Sequence, residues 1–114
     1  MNSVSVLPAD MKLNVIARVE AGCLGPDGDD HIEAFCQYAN KAFAEIETHF
    51  VDWSIMPRYD RQLPEFEYQV HQKRLCQDKA GKYLHVFGMT LEQFEDELNF
   101  NLVTYIERFL ARND

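Results

Sequence analysis

Cys23 lies inside Gly22-Cys-Leu-Gly-Pro-Asp-Gly28, and His31 follows it by eight residues. A thiol placed just ahead of a helix start can be stabilised as a thiolate, and a nearby imidazole can take its proton. Cys23 assisted by His31 or His49 is therefore the nucleophile and base that the spacing offers. The same loop presents backbone N–H groups ahead of a helix N-terminus, the geometry of an anion site. A second stretch, Pro57-Arg-Tyr-Asp-Arg-Gln-Leu-Pro64, supplies Arg58, Tyr59 and Arg61 for a small carboxylate or phosphate. Against both readings, the glycine loop matches neither phosphate-binding fingerprint, and Asp27, Asp29 and Asp30 crowd it with negative charge. A plain loop cysteine is the simpler meaning of Cys23.

Metal chemistry finds less support. Cys23, His31 and Cys36 are separated by eight and five residues and Cys76 and His85 by nine, so no Cys-x-x-Cys or His-x-x-x-His pair exists. No metal and no cofactor are expected. Three cysteines cannot all pair, which points to reduced thiols.

The elements that would carry these residues follow from periodicity. Met11 to Ala21 alternates, with Met11, Leu13, Val15, Ala17, Val19 and Ala21 on one face and Lys12, Asn14, Arg18 and Glu20 on the other, which predicts a strand with one wet face. After the glycine loop, Asp29 or Asp30 can cap a helix whose apolar stripe runs Ile32, Phe35, Cys36, Ala39, Phe43, Ile46. His49 to Met56 and Glu65 to His71 alternate again and read as a second and a third strand, while Gln72 to Arg74 reads as an exit from the sheet. Cys76 to Phe87 reads as a short helix closed at Gly88. Thr90 with Gln93 has capping-box spacing and opens a last helix from Leu91 to about Ala111.

The expected fold is α+β, a two-layer sandwich of topology β-α-β-β-α-α. Its three-stranded antiparallel sheet would have the order 1-3-2, a split β-α-β unit with three helices on one face. Residues 1–10 are expected as a flexible tail before a single domain spanning 11–114. In this arrangement the first two strands run parallel and end together, which brings loop 22–28 beside loop 57–64 as a cleft.

With 19 acidic and 11 basic residues the chain carries a net charge of −8, which argues against nucleic acid or an anionic membrane as partner. No apolar run is long enough to span a bilayer and the first residues lack the pattern of a signal peptide, so a cytoplasmic protein is expected. The last helix carries a second apolar stripe, Phe100, Val103, Ile106 and Leu110, beyond the one it needs for its own core. That surplus predicts a non-enzymatic interaction module, a homodimer or a binder of another protein. The alternative is a small enzyme or anionic-ligand binder using the cleft between the loops.

Overall fold

The computed structural model describes residues 11–46 and 50–112; the expected tail at 1–10 and His49 lie outside them. The fold is α+β. Four strands, β1 (Leu13–Val19), β2 (Val51–Pro57), β3 (Phe66–Val70) and β4 (Lys73–Leu75), form one sheet, with helices α1 (Gly28–Ala44), α2 (Gln77–Val86) and α3 (Leu91–Arg112). A short 3-10 turn over Ala21–Leu24 joins β1 to α1.

The alternation along β1 does what it predicts on its apolar side. Leu13, Val15, Ala17 and Val19 are buried, and their Cα partners, Val51, Trp53 and Ile55 in β2 with Phe66 and Tyr68 in β3, share their face. Helical aromatics close over that face, Phe94 of α3 stacking on Trp53 at 5.6 Å and Phe43 of α1 tilting against it at 4.9 Å. Met11 is 48% exposed and falls outside the strand.

The sheet differs from expectation in its order. It runs β2-β1-β3-β4, not 1-3-2, so β1 is central, parallel to β2 and antiparallel to β3. The reason lies in the connection between β2 and β3. After Pro57 the chain crosses the C-terminal end of β1, with Arg58 N donating to Val19 O at 2.8 Å and Arg18 N donating to Glu65 O at 2.7 Å. The eight residues from Arg58 to Glu65 give enough length to pass one strand, whose neighbours sit only about 4.8 Å away. β3 then pairs on the far side of β1.

The stretch Gln72 to Arg74, expected to leave the sheet, instead turns back as a fourth strand. His71 and Gln72 adopt positive φ, 56° and 63°, the two-residue turn whose twist matches that of antiparallel strands. Arg18, assigned to the wet face, is only 8% exposed. Its guanidinium donates to Glu67 Oε1 at 3.0 Å and to Pro64 O at 2.8 Å.

The helix ends show both kinds of outcome. Thr90 and Gln93 form a reciprocal capping box, Gln93 N donating to Thr90 Oγ1 and Thr90 N to Gln93 Oε1, each at 3.1 Å. Gly88 closes α2 at φ 82° with Met89 N on Leu84 O, as a left-handed cap requires. At α1 the cap residue is Asp27, and its side chain makes no capping bond. Gly28 has a different constraint, since a Cβ there would sit 1.8 Å from the Ala21 carbonyl oxygen. Only glycine lets the helix start against the 3-10 turn.

Asn40 of α1 shields the open edge of β2. Phe50 O and Arg58 N face β1, so the alternation turns the backbone of Ile55 to the opposite side. There the Asn40 amide takes both groups, its Nδ2 donating to Ile55 O at 2.8 Å and its Oδ1 accepting from Ile55 N at 2.7 Å. Pro57 adds no N–H to that edge, so little of it is left to recruit another strand. Asn40→Ala should lower stability by about 1–3 kcal/mol by stranding these groups. Urea unfolding reads this as a lower midpoint at unchanged slope, and an unchanged midpoint would mean that the Ile55 groups are satisfied without the amide.

Candidate functional site

Parallel pairing makes β1 and β2 finish at the same end of the sheet, and the two loops meet there. The hinge between them is Arg58. Its Nη1 donates to Glu20 Oε1 at 2.9 Å, and its remaining N–H groups reach Leu63 O at 3.1 and 3.3 Å and Arg61 O at 3.3 Å. This guanidinium is therefore spent on folding its own loop onto the end of β1. Tyr59 extends outward with its ring 73% exposed and donates its hydroxyl to Glu33 Oε1 of α1 at 3.2 Å. Arg61 is exposed, and among the described residues it has no ion-pair partner.

The glycine loop is also occupied with itself. Cys23 N donates to Glu20 O, Gly25 N to Gly22 O, Gly28 N to Gly25 O and Asp30 N to Asp27 O, at 3.0 to 3.2 Å. The N–H groups expected to cradle an anion are mostly consumed by consecutive tight turns. A cleft of about 430 Å³ does open between the loops, walled by Glu20, Asp29, Arg58, Tyr59 and Arg61. Its carboxylates, joined by Glu33 behind Tyr59, match or exceed its cations.

The thiol and imidazole are not assembled into a pair. Cys23 is exposed, and among the described residues its thiol has no hydrogen-bond partner. His31 instead presents its ring to Phe109 of α3, edge-on at 6.4 Å. Cys36, on the buried stripe of α1, has its thiol pushed up to about 11 by burial and then by Glu33, so it stays protonated at neutral pH. Among the described residues no three His, Cys, Asp or Glu side chains converge as a metal site would need.

On the other side of the Arg58–Glu20 pair a second, more apolar pocket of about 220 Å³ lies between the end of β1 and α3. Val19, Leu102, Val103 and Ile106 line it, with Cys23 and Glu65 at its margin. Here the surplus stripe of α3 comes into view. Phe100 is 71% and Val103 55% exposed, whereas Ile106 and Leu110 are partly buried and pack against the core. The stripe thus divides, its N-terminal half facing water and its C-terminal half widening the core. Arg108 and Arg112 lean the other way, over the rings of Tyr105 at 5.9 Å and Tyr38 at 5.2 Å. No helix of the described residues is long and apolar enough to cross a membrane.

Sequence reasoning missed the Arg18–Glu67 pair, because charged residues in an alternating strand read as solvent-facing. The only available signal was the position of Arg18 and Glu67 on strands that could become neighbours. Comparison with protein-family models, with curated proteins and with solved structures finds no match to this chain.

Glu67 gives the site a titratable support. Its carboxyl is held below the usual value of 4.5 first by the Gln69 amide, at 2.7 Å, and then by the hydrogen bond and charge of Arg18, while burial pulls the other way. A lowered folded-state pKa means stability that is present above the unfolded value and lost as pH falls through the folded one. Wild type should therefore lose stability below pH 4.5 more steeply than Glu67→Gln, read as urea midpoints from neutral pH down to acid. Parallel acid limbs for the two proteins would contradict this assignment.

Proposed function

We propose that the chain is a self-associating interaction module that docks through the outward face of α3. The observation that carries this reading is the pair Phe100 and Val103, exposed one turn apart beside an apolar pocket floored by Leu102 and Ile106. A lone exposed hydrophobic residue needs no explanation, but two on one helical turn, continuous with a pocket, form a patch. Both side chains are mostly exposed and lie outside the buried core. Burying Phe100 in a contact would contribute about 1.5–3 kcal/mol, enough to act as an anchor. Asp96, Glu97 and Glu107 ring the pair at helical spacing and keep the free surface soluble.

The arrangement at the loops supports catalysis or anion binding less well. Arg58 is committed to Glu20 and to carbonyl oxygens, the loop N–H groups are committed to turns, and Cys23 and His31 share no bond. Three free cysteines fit a reducing compartment such as the cytoplasm as the place of action.

Sedimentation velocity across the micromolar range tests the reading. Wild type should show a concentration-dependent mass, and Phe100→Asp should remain monomeric with an unchanged melting temperature. A wild type that stays monomeric throughout, or a Phe100→Asp protein that associates equally well, would refute it.

A further inference from the structure

We propose that the surface which α3 receives is the outward face of α2 on a second copy of the chain, so that copies join head to tail. This rests on the self-association just proposed and names the other half of the contact. Among the described residues Val86 is the most exposed of the large hydrophobic side chains, at 78%, and Phe87 beside it is 39% exposed while stacking flat on Phe50 at 4.1 Å. Val86 lies on the side of the helix opposite Ala80 and Leu84, the α2 contribution to the core, whereas Phe87, three residues after Leu84, lies nearer the core side and is covered in part by Phe50.

Charge separates the two apolar patches. On α2 the stripe outside Val86 is Lys79 and Lys82, at i−7 and i−4, with Asp78 3.4 Å from Lys82 as the one acid among them. The helix itself carries Lys79 and Lys82 against Asp78 alone, although the whole chain stands at −8. On α3 the stripe is Asp96, Phe100, Val103 and Glu107, with Glu97 alongside, and among the described residues none of these carboxylates has an ion-pair partner. The α2 surface thus offers Val86 and the exposed part of Phe87 beside a net positive charge, and the α3 surface offers Phe100 and Val103 beside a negative one. Pairing α3 with α3 would instead set Asp96, Glu97 and Glu107 of both copies against each other, which costs affinity at close range.

The positions of the patches decide the form of the assembly. Phe87 stacks on Phe50, whose carbonyl accepts from Leu13 N at the start of β1. Val103 lies over the pocket walled by Val19 and Glu20 at the end of β1. The two surfaces sit at opposite ends of the central strand. One α2–α3 contact leaves a free α2 face at one end and a free α3 face at the other, a heterologous contact that propagates. A dimer is the first member of that series.

Two exposed substitutions, Val86→Asp and Phe100→Asp, test the pairing by sedimentation velocity, alone and as an equimolar mixture. Each variant alone should associate about thirtyfold or more weakly than wild type, because every contact then lacks one anchor. The mixture should form a dimer and nothing larger, since the Phe100→Asp copy still offers α2 and the Val86→Asp copy still offers α3. Melting temperatures equal to wild type establish that both variants fold. If Phe100→Asp is monomeric while Val86→Asp associates like wild type, the α2 assignment is overturned and docking through α3 stands. A mixture that stays monomeric overturns the pairing in the same way, and a monomeric wild type overturns the pairing together with the self-association beneath it.

Discussion

Arg18 is the group around which the sheet is closed. Its side chain is almost fully covered, and a covered guanidinium is tolerable only when its charge is matched and its N–H groups are bonded. Glu67 supplies the charge at 3.0 Å and the Pro64 carbonyl a second acceptor at 2.8 Å, while the backbone N–H of the same residue holds Glu65 O. Glu67 lies on β3 beyond the β2–β3 connection, and Pro64 lies near the end of that connection. Satisfying Arg18 therefore requires that connection to lie across the end of β1 and β3 to pair with β1. The pair holds β3 beside β1, and the Arg58 N–Val19 O bond carries the connection across the end of β1, in the order β2-β1-β3-β4. Replacing such a pair with apolar residues can cost little, whereas removing one partner strands the other charge.

Arg58 repeats the device one loop further out, tying Glu20 at the end of β1 to the carbonyl oxygens of its own turn. Together the two arginines tie the loop to the end of the sheet where parallel strands usually leave a crevice for a ligand. These bonds occupy Arg58, which would otherwise be available to an anion in the cleft. Among the described residues the helices still expose large apolar side chains, Phe100 and Val103 on α3 and Val86 on α2.

Much of this was legible in the chain itself, for reasons that local physics supplies. The period of two in Leu13–Val19 identified a strand and its buried face, because a pleated segment with one covered side has no other pattern. Thr90 and Gln93 marked the start of α3 through a bond pattern that involves only four residues. Strand order was not legible. The alternation of β3 is the same whichever neighbour it takes, and the loop before it reaches either side. β4 escaped because it has three residues and follows a turn made by His71 and Gln72, neither of which advertises positive φ as glycine or asparagine would. The second stripe on α3 was legible as apolar, but only tertiary packing shows that Ile106 and Leu110 turn partly inward while Phe100 and Val103 do not.

Amide hydrogen exchange on dilute and concentrated protein compares the surfaces directly, since it reports which backbone groups gain protection when copies meet. The account predicts slower exchange on concentration in two segments only, residues 79–87 of α2 with its end and residues 96–107 of α3, while loop 58–65 and strand β2 exchange at the same rate in both samples. Protection gained along the β2 edge or across the loops, with the two helical segments unchanged, would contradict it.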